Sequence, residues 1–319
     1  GDWKKYWQDP ETRLVHFIGK DNIVFHCIIF PVMLHAHGEY VVPSNVPANE
    51  FMTLEGEKMS TSRGWSIEMH EYLADFPDRT DELRYALLTN LPETKDSEFT
   101  WKDFQARNNN ELVAILGNFV NRALVLTQKN FDNKVPHRGA LSSADETVLA
   151  ELKRLPVDIA AAIDNYRFRE ATALLMDLAR AGNKYLADTE PWKLVKTDMA
   201  RVGTILNIAL QVSASLAIVA EPFLPKAAAR LRAMLGDVQR SWSDAGKADL
   251  LHESHSLGVA ELLFRKIEDE TIEAQKAKLV SRSAALEPAA VSVTVPAAKE
   301  PVTFDSFSTM DIRIGTILS

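Results

Sequence analysis

Cysteine is almost missing: Cys27 stands alone in 319 residues. No internal disulfide framework and no paired-cysteine zinc site can therefore be built within the chain. Such usage fits a reducing, cytoplasmic setting. An excess of positive charge is also missing. The 36 Lys and Arg against 44 Asp and Glu leave a net charge of −8, so no global basic field advertises nucleic acid. A local basic groove on an acidic protein is still compatible with RNA. No signal-peptide pattern and no apolar run long enough to span a bilayer stand out, which predicts no membrane contact. The most apolar early stretch, residues 23–34, is short and is interrupted by His26 and Pro31. No initiator Met opens the chain, and it stops within a strand-like run at 311–318. The expectation is a piece of a longer protein.

What is present is ordinary globular material, 46% apolar and 25% charged. The length suits two or three units of ~100–200 residues each. The most informative stretch is 51–65, FMTLEGEKMSTSRGW. Lys58, Ser60, Thr61 and Ser62 put one ammonium and three hydroxyls into five residues, with Arg63 as a second cation. Gly56 and Gly64 flank them and permit a tight bend. Cations and hydroxyls in this density suit phosphate oxygens and developing negative charge. A polar surface turn is the alternative, because short motifs recur by chance.

Residues 12–18 read as a strand, Gly19-Lys20-Asp21 as a turn, and 22–35 as a helix, an α/β unit with its ligand edge after the strand. Residues 40–42 and 50–54 are further strand candidates around a Pro43–Pro47 loop. Short helices follow over 66–75 and 80–91, each opening on a hydroxyl cap, Ser66 and Thr80. Residues 91–99 read as loop. From Thr100 the apolar period becomes helical, with a long helix over 101–130. A capping box over Ser143–Glu146 opens the next helix, and further helices cover 157–187, 198–220 and 226–235. Four to five antiparallel helices with short loops make a bundle. A charged helix over 269–280 precedes an Ala/Pro/Val/Ser-rich linker over 283–301. Residues 304–318 alternate again, as a strand does.

The ordered set VHFIGKDNIVFH, KMSTSRG, DELRYALL, ELVAILGNFVNRA and PWK resembles the methionyl-tRNA synthetases, class I aminoacyl-tRNA ligases. The resemblance implies an α/β fold, the C-terminal part of a Rossmann-type catalytic domain, over 1–65. It implies a stem-contact region over 66–102, an all-α anticodon-binding bundle over 103–268, and a charged helix and linker over 269–302. An OB-fold would begin at 303–319. It also implies a signature HIGH motif upstream, which His16-Phe17-Ile18-Gly19 does not supply, so these residues alone are expected to be inactive. The implied activity joins methionine to tRNA(Met) with ATP and Mg2+. A homodimer through the OB-fold is a further implied partner arrangement. Zinc would belong to an upstream insertion and not to this chain, whose irregular histidines make no ligand set. A noncatalytic anticodon-binding module, or a relative specific for leucine, isoleucine or valine, are the alternatives.

By the same resemblance Lys58, Ser60, Thr61 and Ser62 form the KMSKS-type loop, with Thr61 where a second lysine is common, which leaves Lys58 and Arg63 to meet the α-phosphate. Gly19 and Asp21 would lie at the adenosine, Asp21 accepting from the ribose hydroxyls or else capping the helix. Met52 would offer backbone groups to adenine, or else is plain core, and Asn49 stands where relatives carry a histidine. His26 would line the methionine pocket, or else is a satisfied core histidine. Asn118 and Arg122, one helical turn apart, and Trp192 after Pro191 would read the CAU anticodon by stacking and edge hydrogen bonds. Otherwise Asn118 and Arg122 are a solvated face and Trp192 a core contact.

Overall fold

The computed structural model describes residues 2–236, 240–286 and 303–309. After the short helix α1 (Lys4–Trp7), β1 (Ile18–Gly19) leads through a 3-10 turn, Lys20–Asn22, and a π-turn, Phe25–Ile29, into α2 (Phe30–His37). His35 and His37 lie in the last turn of α2, beside its negative dipole end, and Gly38 closes it at φ +90°. Next come β2 (Ala48–Asn49), β3 (Met52–Leu54) and β4 (Glu57–Lys58). A 3-10 turn, Thr61–Arg63, precedes α3 (Met69–Asp75), α4 (Thr80–Thr89) and β5 (Ser97–Phe99).

The α/β expectation is visible in the pairing. β1 and β2 run parallel, Ile18 beside Ala48 and Gly19 beside Asn49, and Val15 bridges Asn45. A mixed sheet takes the order β4-β3-β5, antiparallel then parallel. The strand expected over 12–18 is thus mostly extended chain that closes into a ladder only at its end. Residues 40–42 form no strand. β5 was hidden in a polar segment expected to be loop, because its pairing comes from β3 and not from its own alternation. The expected caps also fail. Thr80 is the first residue of α4, and Ser66 precedes α3 and donates to Glu68 across 2.7 Å.

The long helix runs unbroken as α5 (Trp101–Ala106), a π-wound stretch Arg107–Gly117, and α6 (Asn118–Asn130). Thr100 caps it by accepting from the Asp103 N–H at 3.0 Å. α7 (Ser143–Asp164) begins one residue earlier than the expected box. Ser142 and Asp145 form the reciprocal cap. α8 (Phe168–Thr189), α9 (Pro191–Leu194), α10 (Met199–Val219) and α11 (Pro225–Met234) complete the bundle. α10 corrects the reading that no apolar run was long enough to cross a bilayer. It passes that test by length and composition, yet Val202–Val219 lie buried as the bundle's central helix.

α12 (Asp269–Leu286) outlasts its expected end and takes the first residues of the expected linker. α13 (Phe304–Ser308) is helical, so the strand expected from Phe304 does not start there. The rest of that strand, and with it the OB-fold, lies outside the described residues.

The described residues form two apolar cores. The larger joins α6, α7, α8, α10 and α11. The smaller is aromatic: Tyr72, Phe76, Phe99, Trp101 and Phe104 stack with Leu54, and with Ile267, Ile272 and Leu279 of the α12 region.

Candidate functional site

The 57–65 segment folds back on itself. Ser60 and Trp65 exchange two backbone hydrogen bonds of 2.9 Å, and Trp65 Nε1 donates to the Leu54 carbonyl at 2.8 Å. Gly64 turns the chain at φ +67°, a conformation that L side chains resist. Within the turn the Ser60 and Ser62 hydroxyls stand 3.1 Å apart, and Arg63 Nη2 donates to the Lys58 carbonyl at 3.3 Å. Lys58, Thr61, Ser62 and Arg63 are exposed. Among the described residues the Lys58 ammonium makes no hydrogen bond or ion pair. The loop therefore presents a free cation and hydroxyls, held by a tied base. A cleft of about 480 Å3 opens beside it, lined by Met52, Met59, Ser60, Thr61 and Ile67.

Gly19 and Asp21 sit where the parallel pair ends, at the ligand edge of an α/β unit. Asp21 lies inside the 3-10 turn and not at a helix N-cap, which removes that alternative. Its carboxylate folds back so closely that a Cβ on Gly19 would lie 2.8 Å from Oδ1. The carboxylate is exposed and can turn away, so this contact alone does not demand glycine at 19. Asn49 pairs with Gly19 across the ladder. Met52 begins β3, pairs with Ser97 of β5, and is reached by no residue of β4, which opposes Thr53 and Leu54.

Sequence reasoning passed over Lys20. Its ammonium bonds Glu50 and, at 2.9 Å, Asp96, and lies 4.5 Å from the Phe51 ring centroid. Asp96 also accepts from the Phe51 N–H at 2.9 Å. Lys20 thereby fixes the turn bearing Asp21 to the strand bearing Met52. The bond to Glu50, then that to Asp96, raises the Lys20 pKa, so the cation persists at any ordinary pH.

His26 is half-buried in the π-turn, and its Nδ1 stands 3.1 Å from Nδ1 of His16. Burial, and then the neighbouring His26, lower the His16 pKa. One ring of this pair must be neutral to accept from the other. Irregular helix turns of this kind gather at functional sites, and His26 lies in one.

In the bundle the three expected residues converge. The Arg122 guanidinium lies 4.6 Å from the Trp192 ring centroid, a cation–π stack, and Trp192 remains 39% exposed. Asn118 is exposed one turn before Arg122 and contacts Asn183, which donates to the Ile115 carbonyl at 2.6 Å. Trp192 is therefore not a core contact. Glu190, in the left-handed region at φ +42°, turns the chain so that Pro191 is buried and Trp192 faces out.

A family profile described as tRNA synthetases class I (M) matches residues 1–124, and one described as the anticodon binding domain of methionyl tRNA ligase matches 135–284. A methionine–tRNA ligase of Phocaeicola vulgatus is 58% identical over 316 residues, 99% of this chain and 46% of its own length. That of Cytophaga hutchinsonii is 59% identical over 317 residues, with the same coverage. The chain thus spans about half the length of the curated relatives it matches. The solved Mycobacterium tuberculosis methionyl-tRNA synthetase in complex with methionyl-adenylate aligns at TM-score 0.71 and 28% identity, over 79% of this chain and 50% of that one.

Proposed function

Since the chain belongs to the methionyl-tRNA synthetase family, we propose that it forms the signature-loop and anticodon-reading half of a methionine–tRNA ligase. In that reaction a methionine carboxylate oxygen attacks the α-phosphorus of ATP and pyrophosphate leaves. A ribose hydroxyl at the tRNA 3′ end then attacks the carbonyl carbon of the adenylate, and AMP leaves. Lys58 and Arg63, with the hydroxyls of Ser60, Thr61 and Ser62, meet the phosphates as charge develops on them. Gly19 admits the adenosine and Asp21 accepts from the ribose hydroxyls. Met52 offers main-chain groups to adenine. His26, its Nδ1 3.1 Å from Nδ1 of His16, lines the methionine side chain. Asn118, Arg122 and Trp192 take the splayed anticodon bases of tRNA(Met). Mg2+ arrives on the triphosphate. Among the described residues no three His, Cys, Asp or Glu side chains gather as a metal site.

We assign residues 1–65 to the catalytic domain, 66–102 to a stem-contact region, 103–268 to the anticodon bundle, 269–302 to a charged helix and linker, and 303–319 to the opening of an OB-fold that would dimerise the full-length enzyme. The observation that carries the whole reading is the exposed Lys58 ammonium, unpaired among the described residues, beside the paired Ser60 and Ser62 hydroxyls. Methionine-dependent ATP–pyrophosphate exchange by the full-length enzyme tests it. Lys58→Ala should slow exchange by roughly 10²–10³, the usual loss for one preorganised donor. An unchanged rate would remove the loop from the chemistry. The self-contained bundle core favours a second reading, in which this chain alone binds tRNA without activating methionine.

A further inference from the structure

α12 leaves the bundle and runs back across the catalytic side, where its buried Ile272, Gln275 and Leu279 face α3 and α5. Its N-terminal end is pinned by α5. Gln105 Nε2 donates to the Ile267 carbonyl at 3.0 Å and to Asp269 Oδ1 at 2.9 Å, and Lys102 Nζ reaches the same oxygen at 3.0 Å. In the middle, Lys278 and Gln275 both hold Asp75 of α3, at 2.6 and 2.8 Å. These contacts are ordinary helix docking.

The C-terminal end does something different. Arg282 Nη1 donates to the Ser66 carbonyl at 2.8 Å, and its Nη2 pairs with Glu71. The same residue lies against Gly64. A Cβ built there would meet Arg282 Cγ at 2.9 Å, the Arg282 carbonyl at 3.0 Å and Leu286 Cδ1 at 3.0 Å. Gly64 closes the turn that carries Ser60, Thr61 and Ser62, and the Ser60–Trp65 bridge ties both arms of that turn together. The glycine is thus required twice, by its positive φ and by the helix pressed on it.

We infer that α12 clasps the signature loop, and that Arg282 is a positioning residue that sets the height of Lys58 and the loop hydroxyls above the cleft. It does so without touching substrate. The inference rests on the phosphate-binding reading of that loop. The two hydrogen bonds of Arg282 fix Ser66 and α3, and its stem and carbonyl fix Gly64, so the loop base cannot shift unless the helix end shifts. Because α12 comes after the bundle in the chain, the clasp also sets a helix from the anticodon-reading side against the loop.

The experiment uses the full-length enzyme with four variants: Arg282→Ala, Arg282→Lys, Lys278→Ala and Lys58→Ala. Steady-state pyrophosphate exchange is measured at a temperature where circular dichroism shows each protein folded. Arg282→Ala should lower kcat roughly tenfold or more, the scale of a lost hydrogen bond from a charged group, with KM for methionine and tRNA affinity unchanged. Arg282→Lys, which keeps one donor and the stem, should recover part of the rate. Lys278→Ala removes an anchor of the same helix that does not touch the loop, although its Nζ also lies 3.6 Å from the Glu71 oxygen that Arg282 holds, and should lower the melting temperature without changing kcat. Wild-type kcat in Arg282→Ala, or an equal fall in Lys278→Ala, would overturn the clasp. If Lys58→Ala is severely slowed while Arg282→Ala is silent, the clasp alone falls. If Lys58→Ala is itself silent, the phosphate-binding reading falls and takes the clasp with it.

Discussion

Trp192 shows how much one side chain can be asked to do. It keeps 39% of its surface exposed although it is among the largest apolar residues, and its partner is a guanidinium and not a hydrocarbon. A ring held open on one face and charged on the other is a ready platform for a nucleobase. Trp192→Ala should therefore weaken tRNA binding by ~1–3 kcal/mol, read by filter binding, and leave pyrophosphate exchange untouched. Equal affinity for an anticodon-swapped tRNA in wild type and variant would instead remove the anticodon from this surface. The Lys58–Ser62 cluster was visible in the sequence because its residues lie within five positions. Lys20 was not. Its partners Glu50 and Asp96 lie 30 and 76 residues away, and only the fold brings them to one ammonium. The same holds for Asn183, which stands 65 residues from Asn118.

At the scale of elements, the α7 N-terminus is tied to α8 and α10 through one carboxylate. Asp145 is fully buried. It accepts from the Ser142 N–H at 2.7 Å, from the Tyr185 hydroxyl at 2.5 Å, and from Arg201 at 2.5 and 2.9 Å. Burial works to raise its pKa, but Arg201, Ser142 and Tyr185 outweigh it and hold the carboxyl at about 2. A folded-state pKa below the unfolded one gives stability that is present above pH ~4 and lost as pH falls toward 2, about 2 kcal/mol in all. Urea denaturation of wild type should show that loss between those pH values, and Asp145→Asn should flatten it. That variant should also lose about 3 kcal/mol at pH 7, because Arg201 is left half-buried without its partner.

The α6–α8 crossing is set by a second small residue. A Cβ on Gly182 would fall 2.4 Å from Phe119 Cζ, inside a ring that is itself wholly buried. Gly182→Ala should cost ~1–3 kcal/mol by overpacking, despite the better helix propensity of alanine, and thermal unfolding measures it. The helices themselves were readable from their apolar period, and their ends were not. The cap of α7 fell at Ser142 because the second Ser of a pair competes equally in sequence, and the choice is made by Asp145 reaching Arg201.

Across the whole molecule the two apolar cores are stitched by main-chain contacts. Asp81 of α4 accepts from the Ala227 N–H at the start of α11 at 2.7 Å. Arg84 donates to the Pro222 and Phe223 carbonyls, and Arg79 to those of Arg265 and Lys266. The bundle side of this joint is closed, whereas the other end is open. Val24, Phe25, Ile28, Ile29, Val32 and Met33 are all about half exposed or more, around a helix that is apolar on every side. Such a helix is stable only when covered, and an exposed patch of that kind is an interaction surface or an aggregation site. Among the described residues the parallel pair β1–β2 beside it likewise has no third strand, and parallel strands need covering neighbours. The chain by itself should therefore bind a hydrophobic dye and self-associate, while still binding tRNA through Arg122 and Trp192. Co-expression with the N-terminal half of the Cytophaga hutchinsonii relative should quench the dye, yield a one-to-one complex and restore methionine-dependent pyrophosphate exchange. Ile29→Asp with Val32→Asp should abolish the complex and leave tRNA binding by the chain intact. A complex that forms equally well with the doubly charged helix would show that the complementary half seats elsewhere.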